Sequence, residues 1–181
     1  LKLSREDHTI ATAILDARFL SGDQKLFGEL MQRYRTDLIP GQEAVYASAK
    51  LKERDDRHLR SGASRYLVEP NLKDGKGGLR DLHTLFWIAK YLYRVEDTSD
   101  LVSAGLFTED EYRTFHDAEA FLWDVRCHLH YLTGRAEERL SFDVQIEMAR
   151  RMGFTDEGRM RGVERFMKKY FLVAKSVGDL T

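Results

Sequence analysis

Residues 69–81 read EPNLKDGKGGLRD, which sets Lys73, Lys76 and Arg80 around Gly75, Gly77 and Gly78 just before a strongly apolar helical stretch. Glycine permits close backbone approach and positive φ. Cations beside the unsatisfied amides of a helix start favour an anion, above all a phosphate. Two phosphate motifs are nevertheless excluded by spacing. A P-loop needs Ser or Thr after its lysine, but Gly77 follows Lys76, and Pro70 stands where the first glycine belongs. A dinucleotide fingerprint needs a third glycine where Arg80 stands. The alternative is a solvated turn whose glycines only permit a sharp entry into the helix.

A second candidate is Asp16. Alternation places Asp16 and Arg18 on one side of residues 12–20, opposite Ala13, Leu15, Ala17 and Phe19. A carboxylate on a rigid strand suits Mg²⁺, because hard cations take oxygen ligands. One carboxylate cannot build such a site, and the chain has no strand-borne Asp-x-Asp. A surface pair of Asp16 with Arg18 is the other reading. His116-Asp117 spells the dipeptide of the HD phosphohydrolases, with His83 upstream and Asp143 downstream, though nothing around those two marks them as metal ligands. Arg126 and His130 lie one helical turn apart. With Arg135 they either line a ligand site or fasten neighbouring helices. No Ser-His-Asp or Cys-His nucleophile arrangement and no zinc spacing is present.

The elements that must carry these residues are mostly helical. Residues 14–20 are expected as a strand, although Ala and Leu also allow a helix over 9–15. Leu26, Phe27, Leu30, Met31 and Tyr34 repeat at helical steps. Pro40 is expected to open the next helix, which ends near Gly62. Gly78 introduces a helix carrying Leu79, Leu82, Leu85, Phe86, Ala89, Leu92 and Tyr93. Thr108 and Glu111 have capping-box spacing. Their helix has Phe115, Ala118, Leu122, Val125, Leu129 and Leu132 on one side and Ala120, Trp123 and Cys127 on another, so burial on more than one face is expected. Gly134 ends it. Ser141 starts a shorter helix closed by Gly153, and a last helix begins near Met160. The expected fold is all-α: an antiparallel bundle of about six helices, with room for one residual N-terminal strand.

Composition narrows the class further. The 181 residues are 43% hydrophobic and 33% charged with a net charge of -1, so no global basic field points to nucleic acid. The lone Cys127 cannot form an intramolecular disulfide, which fits a reducing, cytoplasmic setting. No apolar run reaches membrane-spanning length, and no signal-peptide pattern is present. The first residue is Leu, and a helical pattern runs to Thr181 without a stop signal, as in a piece of something longer.

YLVEPNLK at residues 66–73, followed by GGLRDLHTL at 77–85, resembles the bacterial PII uridylyltransferase/uridylyl-removing enzymes. TAILDARFLSGD at 12–23 is similar to the segment closing that family's nucleotidyltransferase domain. Trp123, Arg126, Leu129-His130, Arg135, Leu140, Phe142-Asp143, Gln145, residues 163–167 and Tyr170 continue the match. The resemblance implies a parent that transfers UMP from UTP to a tyrosine of the PII signalling protein with Mg²⁺. It also implies hydrolytic removal when glutamine, sensed by C-terminal domains, is plentiful. Residues 1–22 would then be the tail of the nucleotidyltransferase domain, and 23–181 most of the helical domain that follows. Lys73, Gly75, Lys76, Gly77, Gly78 and Arg80 become candidates for the triphosphate or the incoming PII loop. Asp16 matches a third acidic residue of the catalytic core as a candidate catalytic carboxylate and metal ligand. The family's Gly-Ser loop, its paired metal carboxylates and its HD hydrolase signature are absent, so the piece alone is expected to be inactive. The alternative is a non-catalytic scaffold that docks PII or neighbouring domains.

Overall fold

The computed structural model describes residues 2–62 and 64–181, and among them every regular element is helical. The helices are α1 (Lys2–Glu6), α2 (His8–Leu15), α3 (Gln24–Arg33), α4 (Glu43–Arg60), α5 (Leu79–Tyr93), α6 (Asp100–Ser103), α7 (Glu109–Thr133), α8 (Phe142–Arg151) and α9 (Gly162–Leu180). One π-helical segment, Tyr34–Leu38, extends α3. The six helices expected from the sequence are the six with ten residues or more.

α5 is the spine. Its first turns give Leu79 and Leu82 to the larger core, where α7 supplies Phe115, Leu122 and Leu129 and α9 supplies Phe166, Tyr170 and Val177. Its last turn gives Tyr91 to a second core with Ala11 and Leu15 of α2, Tyr34 and Leu38 of the π segment, and Tyr46 of α4. There Tyr46 and Tyr91 stack with centroids 3.9 Å apart. The buried hydroxyls are partnered: Tyr34 donates to the Ala11 carbonyl at 2.8 Å, and Tyr46 shares a hydrogen bond with Thr12 at 2.8 Å.

Three expectations are corrected. No strand forms over residues 14–20. Asp7 caps α2 by accepting from the Thr9 amide at 2.7 Å, and Ala11 and Leu15 then bury one helical face. Beyond Asp16 the chain is exposed and finds no ladder partner among the described residues. Pro40 does not open α4. The Gln42 amide closes a turn on the Ile39 carbonyl, Gly41 takes φ +79°, and the helix starts only at Glu43. The second side of α7 is open: Ala120 and Cys127 are exposed, and Trp123 is 38% exposed.

The α7 start is as expected. Thr108 Oγ1 accepts from the Glu111 amide, and Glu111 accepts from the Thr108 amide at 2.8 Å. Thr108→Ala should therefore cost about 1 kcal/mol, the usual worth of a side-chain cap, read as a lower urea midpoint at unchanged slope.

Candidate functional site

The glycine-lysine loop is built by its own polar groups. Asn71 Oδ1 accepts from the amides of Lys73 at 3.0 Å and Asp74 at 2.6 Å, turning the chain back on itself. The Leu72 and Lys73 carbonyls then accept from the Leu79 and Arg80 amides at 3.0 and 2.9 Å, which joins loop to helix. From outside, the Glu138 carbonyl accepts from Leu72 at 2.8 Å, and Pro70 accepts from Leu140 at 2.9 Å.

The three glycines are buried in this packing. Gly75 donates to the Asn71 carbonyl at 3.1 Å, Gly78 to Gly75 at 2.9 Å, and Gly77 to Asp81 Oδ2 at 2.8 Å. A Cβ at Gly77 would stand 2.4 Å from the Ala174 carbonyl of α9, and one at Gly75 2.4 Å from the Asn71 carbonyl. The close approach that glycine permits is thus between parts of this chain. Side chains, not amides, are what the loop offers outward.

Those side chains divide. Lys76 lines a polar pocket of about 230 Å³ with Arg54, His58 and Arg65. Arg80 lies over the indole of Trp87, 5.5 Å from its centroid, with Asp74 3.6 Å away. Lys73 carries no ion pair among the described residues.

Trp87 is where the other polar groups meet. Its Nε1 donates to Asp16 Oδ2, Lys50 Nζ lies 5.1 Å from its centroid, and His83 approaches at 5.8 Å. Arg80, His83, Trp87 and Lys90 follow one another at steps of three, four and three, one face of α5. Lys90 Nζ stands 3.9 Å from Asp16 Oδ1. Asp16 therefore pairs with α5, not with Arg18. Burial pushes the His83 imidazole below its usual range, helped by Arg80, Arg126 and Lys73 and opposed by Asp16. Its ring faces Trp123 of α7 at 6.1 Å, and Glu119 Oε1 is 4.0 Å from its Nε2.

Arg126 fastens the loop. Its Nε and Nη2 reach both oxygens of Glu138 at 2.7–3.1 Å, and His130 Nε2 is 3.6 Å from the same carboxylate. Burial opposes the charge on Glu138, but the Arg126 bonds outweigh it and hold the carboxyl below its usual range. Arg135 is exposed and bonds Glu137 at 2.6 Å, away from this pair. His116 and Asp117 are exposed, and Asp143 accepts from the Ser141 hydroxyl. Among the described residues no three His, Cys, Asp or Glu are grouped to hold a metal, and Asp16 offers at most one ligand.

Sequence reasoning missed Asp81. It is 1% exposed and takes Arg57 Nη2 at 2.6 Å, His58 Nε2 at 2.8 Å and the Gly77 amide at 2.8 Å, locking α4, α5 and the loop together. The available signal was a carboxylate one turn before Leu85 on the apolar side of α5. On another side of the molecule, Val68, Phe142, Ile146, Met167 and Phe171 line an apolar groove of about 370 Å³. No helix among the described residues is long and apolar enough to cross a membrane.

Residues 46–181 match the family described as GlnD PII-uridylyltransferase. Over its full length the chain is 60% identical to the bifunctional uridylyltransferase/uridylyl-removing enzyme of Bradyrhizobium sp. (strain ORS 278), of which it covers 19%. It is 61% identical to the protein of that name from Phenylobacterium zucineum (strain HLK1) and 58% to that of Azospirillum brasilense, again over all 181 residues and 19% of each relative. The chain thus spans about a fifth of the length of these curated relatives. No solved structure matches it.

Proposed function

The chain belongs to the GlnD PII-uridylyltransferase family, and from that premise we propose that it is the helical part of an enzyme that moves UMP from UTP to a tyrosine of PII. In the parent this piece positions the nucleotide. Its α5 face meets the triphosphate through Lys73 and Arg80, and the Asp16 carboxylate lies beside the reacting end. The single observation that carries this is the convergence on Trp87, where Asp16 from the chain's start meets an indole also covered by Arg80 from the first turn of the same helix. Phosphoryl-type transfer asks the protein mainly for positioning and charge. Lys73, in the loop before α5, has no ion pair among the described residues, and Arg80 has only Asp74 at 3.6 Å, so both are taken as the cations that meet a polyanion.

Mg²⁺ belongs to the parent's chemistry in this proposal, where it would neutralise phosphate charge. The described residues do not fit a complete metal centre, since Asp16 is alone and already engaged by Trp87. Removal of UMP, glutamine sensing and a cytoplasmic location are likewise proposed for the parent. The 181 residues alone are proposed to be inactive. A scaffold role, docking PII or a neighbouring domain, is favoured by a different observation, the apolar groove beside Phe142 and Ile146.

Equilibrium binding to the full-length parent separates the two. Lys73→Ala and Arg80→Ala should each weaken Mg-UTP about ten- to hundredfold, the worth of one charge-assisted hydrogen bond, and leave PII affinity unchanged. Unchanged UTP affinity in both variants would refute the positioning role. Weakened PII binding with intact UTP binding would favour the scaffold.

A further inference from the structure

His83 sits at the centre of the α5–α7 face without a role in phosphate binding. It is held between the two indoles of the chain, 5.8 Å from Trp87 and 6.1 Å from Trp123. Trp87 is covered by Lys50 and Arg80. Trp123 carries Arg126 5.0 Å from its centroid and still keeps 38% of its surface exposed. An exposed indole beside an imidazole and a row of cations suits a ligand with a flat ring at one end and negative charge at the other.

We propose that Trp123 stacks on the nucleotide's base and that His83 reads the base edge, making it a specificity-determining residue for uracil. This rests on the assignment of the nucleotide to the α5 face. The chemistry follows from the tautomer. Burial, then Arg80, Arg126 and Lys73, against the pull of Asp16, shift the imidazole toward its neutral form, in which one ring nitrogen donates and the other accepts. In this proposal Nδ1 is the nitrogen that accepts from the base, and Nε2 keeps its proton on the side of Glu119 Oε1, 4.0 Å away. Uracil presents a donor at N3. Cytosine presents a lone pair there, which an acceptor repels. A site built to hydrogen-bond one edge discriminates strongly against a ring that leaves it unpaired.

The test is donor selectivity in the full-length parent, kcat/KM for UTP over that for CTP. His83→Phe keeps a ring between the indoles and removes the hydrogen bond. It should lower the selectivity about tenfold or more, through a raised KM for UTP at nearly unchanged kcat. His83→Gln, which keeps a donor and an acceptor, should recover part of it. Trp123→Ala should raise KM for both donors alike. Wild-type selectivity in His83→Phe, with UMP removal intact as proof of folding, would overturn the inference. If Arg80→Ala still slows transfer in that case, the phosphate assignment survives without the base assignment. If Arg80→Ala is also wild type, the whole face is wrongly assigned.

Discussion

Asp81→Ala should destabilise the 181-residue chain by about 3–5 kcal/mol, the cost of leaving one side of a buried ion pair uncompensated. Asp81 is 1% exposed and the Arg57 side chain 9%, so the substitution leaves a buried guanidinium without its carboxylate. Arg57 Nε has no partner even in the intact protein, and without Asp81 the Nη2 bond goes as well. His58 and the Gly77 amide lose their acceptor at the same time. For a domain whose total stability is about 5–15 kcal/mol, such a loss leaves little folded protein on warming. Urea unfolding followed by far-UV circular dichroism gives the number. A loss under about 1 kcal/mol would mean that the triad is not the lock between α4 and the loop.

Gly77→Ala should cost about 2–4 kcal/mol. Two independent terms add. The residue has φ +81°, where a side chain costs about 1–2 kcal/mol. The new Cβ would also stand 2.4 Å from the Ala174 carbonyl oxygen and 2.9 Å from its Cα, and α9 backbone cannot yield as a side chain would. Gly134→Ala separates the terms, because Gly134 has φ +67° but open space around its Cβ position. It should lose only the first amount, about 1–2 kcal/mol. Equal losses at the two sites would contradict the close contact between the loop and α9.

What the sequence made legible follows the range over which each signal acts. The capping box at Thr108 and Glu111 and the stop at Gly134 are local, and both stand as expected. The helical stripes of α5 and α7 repeat often enough to be unambiguous. Residues 9–20 are ambiguous, because the alternation of Ala13, Leu15, Ala17 and Phe19 suits a strand over 14–20 while Ala and Leu also suit a helix over 9–15. Only the Asp7 cap and the pocket around Tyr34 and Tyr46 decide for α2.

The site was harder to read for a different reason. Gly75, Gly77 and Gly78 announce close approach, but sequence does not say to what. The answer is backbone of Asn71 and of α9, which are distant from each other along the chain. Asp81 and Asp74 look alike in the text of the loop, yet one is buried under three donors and the other is half-exposed beside Arg80. Trp123 lies with Ala120 and Cys127 on a second apolar side of α7, a pattern that suggests burial, yet the structure turns it outward next to His83.

The central claim is that the α5 face positions UTP for transfer. The most direct measurement is steady-state UMP transfer to PII by the full-length parent carrying Arg80→Ala, with UMP removal assayed on the same preparation. Loss of a positioned charge at the reacting phosphates should lower kcat/KM for transfer about 10²–10³-fold while removal proceeds at its normal rate. Wild-type transfer by that variant, with removal intact, would contradict the account.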